Sequence, residues 1–341
     1  MTINIVIGSY LEPDLVERIA SSGDDLVVHY RPDLLPVPRY ACDHSAPARE
    51  LRTEQLNEWK ALAAMADIFF DFDWFGPSTM ADRCSNLKWI QGTSAGIGGV
   101  MQRSGLDQTS IVATTAGGIH AVPLAEFALM GALYFVKRVP FLNELKEHRH
   151  WQRHATLQLR GLRALVIGLG GIGREVARVF AAMGVEVTGL GRPRRSYDVE
   201  GVRKVIDRTE LDDTLGDIDI VILTAPLTSE TSGMLGADQL RRLPLGALVI
   251  NVSRGPLIDE PALIEALRSG ALGGACLDVF AEEPLPASSP LWELDNVILS
   301  PHSASTLRTE NEDLVELFLE NLDRWRRGEP LRNLYDPVAG Y

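Results

Sequence analysis

The chain predicts an α/β protein made of two doubly wound parallel-sheet domains. Its 341 residues exceed what one hydrophobic core usually organises, about 250–300 residues. Short runs that are apolar on nearly every residue alternate with helical patterns, as expected for parallel strands buried on both faces. The series starts afresh near residue 164 with a strand, a glycine-rich turn and a helix start, in that order.

In the first third, strands are expected at 3–7, 26–30, 68–72 and 88–91. A helix is expected at 53–65, with Thr53 as its N-cap. The Pro- and charge-rich stretch 31–50 reads as a loop. Residues 123–150 carry a long helical pattern that Pro140 should kink or break. The second series places strands at 164–168, 185–190, 218–224, 247–252, 274–279 and 297–299. An amphipathic helix at about 306–327 has no strand after it and is expected to return and cover the first domain. The expected division is therefore 1–104 plus 303–341 for one domain and 105–302 for the other. No repeat of fixed period is visible.

A hydrophobic fraction of 45% with 23% charged residues is ordinary for a globular chain and argues against disorder. The net charge of −13 repels nucleic acid and acidic membranes at long range, so anionic ligands need local cations or backbone amides. Three cysteines without CxxC spacing (Cys42, Cys84 and Cys276) fit a reducing compartment, and Cys276 reads as a core residue. The first residues lack a signal-peptide pattern, and no run reaches the roughly 18 apolar residues that span a bilayer. A cytoplasmic location is the expectation. His150 and His154 sit four apart, but no carboxylate or thiolate completes a site by spacing, so no metal is expected.

The segment GLGGIG at 168–173 lies between a buried strand and a helix start. Gly168 permits the tight turn, Gly170 lets backbone approach a pyrophosphate, and Gly173 lets helix pack on strand. Gly171 and Ile172 open a helix whose free N–H groups and dipole favour phosphate. This context makes 105–302 a Rossmann domain for a nicotinamide dinucleotide. After the next strand, where an NAD-specific chain carries an acidic residue, this chain has Arg192, Arg194 and Arg195. Guanidinium groups can take a 2′-phosphate bidentately, which favours NADP(H) over NAD(H). A solvated basic turn is the alternative.

Three further polar groups each stand just beyond an apolar strand: Arg254, then Asp278 with Glu283, then His302. In an open parallel sheet that edge binds ligands. Reduction of a 2-oxo acid needs a cation for the carboxylate and carbonyl, and a proton donor active near neutral pH. Arginine suits the first task and histidine the second, with a nearby glutamate favouring the charged imidazole. Taken singly, Arg254 could be an ion-pair partner, Glu283 a loop charge and His302 a turn histidine.

With GLGGIG, TAPLTSET at 224–231, the run 248–280, EEPLP at 282–286 and SPHSAS at 300–305, the chain resembles the D-2-hydroxyacid dehydrogenases, in family order across the second domain. The resemblance implies a catalytic Arg254, Glu283 and His302, with Glu283 a better match than Glu282. It implies cofactor contacts from Thr224, Pro226, Thr231, Val252, Ser253 and Asp278, the last holding the nicotinamide carboxamide. It further implies a flavodoxin-like substrate domain, substrate carboxylate binding by the Ala95, Gly96 and Ile97 backbone, and a homodimer through the region after Pro123. A glycine-rich turn there can form an anion nest, or be a simple loop. The family often has Gly-Val-Asp where this chain has Gly96, Ile97 and Gly98, so that aspartate's role does not carry over. Trp74, after a strand, is a candidate wall for a small acid, with plain packing the alternative. The arginine-rich turn and the C-terminal ending are most similar to the glyoxylate and hydroxypyruvate reductase branch. The expected substrate is a small 2-oxo acid reduced to the D-2-hydroxy acid. The rival reading keeps the fold without turnover, as a dinucleotide-sensing regulator or co-repressor.

Overall fold

A computed structural model describes residues 2–192 and 198–338. It divides into two compact units, Met1–His120 with Thr306–Tyr341, and Ala121–Ser305. The first holds five parallel strands, β1 (Ile3–Ile7), β2 (Leu26–His29), β3 (Ile68–Phe70), β4 (Trp89–Gln91) and β5 (Val112–Thr114). Their order is β2-β1-β3-β4-β5, the flavodoxin-like winding. The second holds seven parallel strands: β6 (Arg163–Ile167), β7 (Glu186–Leu190), β8 (Val202–Ile206), β9 (Ile220–Leu223), β10 (Ala247–Asn251), β11 (Leu272–Leu277) and β12 (Val297–Leu299). Read from β8, the order β8-β7-β6-β9-β10-β11 is that of a Rossmann sheet, with β12 added outside.

Each strand feeds two cores because successive side chains point to opposite faces. In the first unit Ile5, Ile7, Ile68, Phe70 and Trp89 pack with Leu314, Phe318 and Leu322 of the helix Glu310–Arg327. Their neighbours Val6, Phe69 and Ile90 pack on the other face with Trp59, Ala63 and Met101. The C-terminal helix thus does cover the first sheet. Phe318 stacks on Trp89 at 5.1 Å and meets Phe70 edge-on at 5.4 Å. Buried Asn321 ties the helix to the sheet, donating to Gln91 Oε1 at 3.2 Å and accepting from the Arg332 N–H at 2.7 Å.

In the second unit Leu165, Ile167, Val221, Leu223 and Val249 face one core, and Ala164, Val166, Ile220, Ile222 and Ile250 the other. The second core is closed by the helices Ala121–Val136 and Gly171–Ala182. Gly131 lets the first of these close on β11, since a Cβ there would stand 2.6 Å from the Cys276 sulfur. Cys42, Cys84 and Cys276 are all buried and free.

Several expectations are corrected. Strands β5 and β8 were not foreseen. β5 is only three residues long, and it becomes a strand by pairing with β4, with an isolated antiparallel bridge from Thr114 to Leu334. That pairing also moves the boundary from residue 104 to His120, and the return crossing from 302 to Ser305. β8 is an edge strand whose middle residues, Arg203 and Lys204, are exposed, so it lacks the apolar run of a central strand. Thr53 is the first helical residue rather than the cap, and the preceding Arg52 N–H donates to Gln55 Oε1 at 3.1 Å. The helical stretch breaks at Arg138, whose φ is 55°, and Pro140 falls in the first turn of the helix Val139–Glu147, where its missing N–H costs nothing.

Phe318→Ala removes a ring buried against two others. We expect it to lower stability by about 3–5 kcal/mol, the usual cost of emptying such a site. Equilibrium urea unfolding with near-UV circular dichroism as the probe checks this.

Candidate active site

The turn between β6 and the helix Gly171–Ala182 shows why glycines stand where they do. Gly168 has φ of 101°, and a Cβ on it would lie 2.7 Å from the Ala225 backbone. A Cβ on Gly173 would come within 1.8 Å of the Gly168 carbonyl oxygen. A Cβ on Gly170 would meet nothing within 4 Å, so open space lies above that backbone. No side chain caps the helix, which leaves the first-turn N–H groups of Gly171, Ile172 and Gly173 for a ligand. A pyrophosphate fits these features. Thr224 Oγ1 donates to the Gly168 carbonyl at 2.7 Å and so buttresses the turn from β9. Thr231 Oγ1 accepts from the Thr228 N–H at 2.8 Å and donates to the Pro226 carbonyl at 2.7 Å, shaping the next loop. Arg192 is exposed after β7, while Arg194 and Arg195 lie outside the described residues.

Three neighbouring strands end level with one another, with Asn251 opposite Leu277 and Leu277 opposite Leu299. Asn251 shapes the exit of β10: its Oδ1 accepts from the Ser253 N–H at 3.1 Å and its Nδ2 donates to the Arg254 carbonyl at 3.0 Å. Val252 and Ser253 are buried in this exit. The Arg254 side chain folds back so that Nη1 donates to the Ser253 carbonyl at 2.7 Å. Burial pulls the guanidinium pKa down and the charges of Glu283 and Asp278 oppose that, and a guanidinium remains cationic throughout. Gly255 then touches the next loop, where a Cβ would fall 1.9 Å from the Phe280 carbonyl. Glu260 anchors the same loop by accepting from the Ala281 N–H at 3.0 Å.

Asp278, 2% exposed, accepts on Oδ1 from Ser300 Oγ at 2.6 Å and from the Ser303 and Ala304 N–H groups at 2.9 and 3.0 Å. Burial raises its pKa against these donors. Its main-chain carbonyl accepts from the His302 N–H at 2.9 Å, and His302 adopts a left-handed φ of 55°. The imidazole Nδ1 meets Glu283 Oε2 at 2.7 Å, while Glu283 Oε1 accepts from the Phe280 N–H at 3.0 Å. For Glu283 burial pushes the pKa up, but the His302 and Phe280 hydrogen bonds with the charges of His302 and Arg254 outweigh it and leave it lowered. Glu282 is exposed and has no part in this pair.

Arg254, Asp278, Glu283 and His302 thus converge on one sheet edge. Asn251, Gly255, Glu260 and Ser300 support them and were not singled out from sequence. Only Asn251 carried a signal, as the one polar residue ending an otherwise apolar strand. Trp74 and Ala95–Ile97 belong to the other unit. There Trp74 Nε1 donates to Asp71 Oδ2 at 2.8 Å, and the ring meets Phe72 edge-on. Ile97 buries its side chain in the core. The Gly96 N–H donates to Ser94 Oγ at 3.3 Å, and among the described residues the Ala95 and Ile97 N–H groups make no hydrogen bond. Among the described residues no group of three or more His, Cys, Asp or Glu could hold a metal ion.

Residues 129–304 match the sequence model of the D-isomer specific 2-hydroxyacid dehydrogenase, NAD binding domain. The chain belongs to the D-isomer specific 2-hydroxyacid dehydrogenase family. It is 31% identical to a glyoxylate reductase of Thermofilum pendens over 83% of each chain. A family member from Xanthobacter autotrophicus Py2, solved with NADPH and MES, superposes with a TM-score of 0.80 at 30% identity over the full length of both. The NADPH-dependent glyoxylate/hydroxypyruvate reductase of Sinorhizobium meliloti, solved with NADP and sulfate, gives 0.78 at 25% identity, again over both full lengths. As a member of this family the chain is an oxidoreductase with a nicotinamide dinucleotide site. These relatives lend no support to the silent-regulator reading.

Because its folded pKa lies below the unfolded value of about 4.5, Glu283 contributes stability that is complete above that pH and fades as pH falls through the folded value. The melting-temperature difference between wild type and Glu283→Gln should therefore be larger at pH 6 than at pH 3. Scanning calorimetry across that range checks it, and a gap that widens on acidification would contradict the assignment.

Proposed function

We propose that this 2-hydroxyacid dehydrogenase reduces a small 2-oxo acid of the glyoxylate or hydroxypyruvate type to its D-2-hydroxy acid, with NADPH preferred over NADH. The observation that carries the reading is the state of His302. Its Nδ1 is held by Glu283 at 2.7 Å, while Nε2 has no hydrogen-bond partner among the described residues. An imidazole anchored on one nitrogen and open on the other is built to pass a proton.

When bound, the reduced nicotinamide supplies the hydride for the carbonyl carbon. Arg254 has only Nη1 engaged, which leaves its other N–H donors for the substrate carboxylate and for the carbonyl oxygen as negative charge develops there. His302 Nε2 delivers the proton to that oxygen. Glu283 accepts the Nδ1–H and sets the ring orientation. Asp278 holds the His302 backbone and is assigned to the nicotinamide carboxamide. Gly168, Gly170, Gly171, Ile172 and Gly173 are assigned to the pyrophosphate, and Thr224, Pro226, Thr231, Val252 and Ser253 to the remaining cofactor wall. The Ala95, Gly96 and Ile97 amides and Trp74 are assigned to the substrate, supported by the two unbonded N–H groups.

The NADPH preference rests on Arg192, Arg194 and Arg195 where an NAD-specific chain carries an acidic residue. NADPH or NADP in the Xanthobacter and Sinorhizobium structures supports it. A homodimer through the region after Pro123 is part of the same reading. Trp151 is 96% exposed, and the exposed Leu157 and Leu245 line a crevice of about 460 Å³ with Phe135 and Phe141. The three buried free thiols support a reducing, cytoplasmic setting. No helix among the described residues is long and apolar enough to cross a membrane.

His302→Ala should lower kcat by about a thousandfold, within the range expected for loss of a general acid, while the NADPH Kd changes less than threefold. Stopped-flow turnover with NADPH and hydroxypyruvate, alongside fluorescence titration of NADPH, separates the two. In steady-state assays with both reduced cofactors, a higher kcat/KM for NADH would overturn the cofactor assignment.

A further inference from the structure

The helix Gly171–Ala182 that follows the dinucleotide turn carries two exposed arginines in different settings. Arg178 is paired, its Nη2 and Nε donating to Glu175 Oε1 and Oε2 at 2.6 and 2.9 Å. Arg174, one turn earlier, has no carboxylate partner among the described residues. Its Nη1 donates to the Asp198 main-chain carbonyl at 2.9 Å, and the other N–H groups of the guanidinium remain for a ligand. The first turn of this helix holds no acidic residue, and its uncapped N–H groups already make that end positive. A permanent cation there is repelled by the helix unless an anion joins it.

The direction of the side chain says which anion that is. Its hydrogen bond places the guanidinium beside residue 198, in the segment that joins β7 to β8. The same segment runs along this flank of the helix. Val199 packs in one core with Val176, Ala177 and Phe180, and a Cβ on Gly201 would stand 2.6 Å from the Ala181 Cβ. In a Rossmann domain the glycine turn takes the pyrophosphate, while the end of the next strand meets the adenosine ribose at its 2′ oxygen. Here that strand, β7, ends at Leu190 and leads into Gly191 and Arg192, with no acidic residue. Arg174 thus leans from the pyrophosphate turn towards the 2′ side of the ribose.

We infer that Arg174 is a further cofactor-selecting residue, whose guanidinium binds the 2′-phosphate of NADPH while the Asp198 carbonyl holds it in place. The inference rests on the NADPH reading and deepens it, because selectivity then draws on the dinucleotide helix as well as on the arginine-rich turn. A phosphate offers several charged acceptor oxygens to the planar guanidinium fork, whereas a 2′-hydroxyl offers a neutral one. The residue selects the cofactor and takes no part in proton or hydride transfer.

Titration calorimetry tests this with 2′,5′-ADP and 5′-AMP, which differ only by the 2′-phosphate, on wild type, Arg174→Gln and Arg174→Lys. Both substitutions fall on an exposed helix face and should leave the fold intact. Wild type should bind 2′,5′-ADP about thirtyfold tighter than 5′-AMP, with several charge-assisted contacts contributing. Glutamine can still donate to the Asp198 carbonyl but carries no charge. It should cut that ratio about tenfold, the weight of one hydrogen bond to a charged group, and change 5′-AMP binding less than about twofold. Lysine restores the charge and should stay within about threefold of the wild-type ratio. If Arg174→Gln keeps the wild-type ratio, or weakens both nucleotides alike, Arg174 only tethers Asp198 and the inference fails while the NADPH reading stands. A lysine variant no better than glutamine defeats it in the same way. A wild type that binds the two nucleotides equally overturns both readings.

Discussion

The second unit's site hangs on one buried carboxylate. Asp278 leaves β11 with nowhere to place its charge except onto the turn that follows β12, where Ser300 Oγ and the Ser303 and Ala304 N–H groups converge on a single oxygen. The same residue's carbonyl takes the His302 N–H. Satisfying one side chain therefore fixes a whole turn and forces His302 into a left-handed conformation that few non-glycine residues adopt. The imidazole then points at Glu283, itself held by the Phe280 N–H. Hydrogen-bond satisfaction in a buried place, more than attraction between histidine and glutamate, sets the geometry.

Sterics do for Arg254 what hydrogen bonds do for His302. Gly255 lies so close to the Phe280 carbonyl that no side chain fits between them. The loops after β10 and β11 are thereby pressed together, which brings the Arg254 guanidinium into the electrostatic reach of Glu283 and Asp278. Two carboxyl groups and one permanent cation share a partly buried edge. Burial pulls the arginine down and the aspartate up, while Glu283, bonded to both a ring and a backbone donor, moves the other way. One neighbourhood thus holds groups of opposed tendency, an arrangement suited to moving a proton while holding an anion.

Much of this was legible beforehand, and for definite reasons. GLGGIG needs glycines because of close approaches that any chain with this turn must make, and the built contacts at Gly168 and Gly173 bear that out. Arg254, Glu283 and His302 could be singled out because each follows an apolar run that is a strand only if buried on both faces. What stayed hidden were groups whose role depends on a neighbour distant in sequence. Gly255 looks like a turn glycine until Phe280 is beside it, and Glu260 looks like a surface helix residue until Ala281 donates to it.

By itself the amino-acid order determined the alternation of strands and helices, the dinucleotide turn, and which cationic, acidic and imidazole groups stand at strand ends. These follow from local periodicity and backbone sterics, which act over a few residues. Only the tertiary structure decided that Val112–Thr114 is a strand of the first sheet, that the chain crosses between units after His120 and Ser305, and which supports hold the site residues. A three-residue strand and a buried carboxylate gain their energy from partners many residues away, and that energy exists only once the chain has folded.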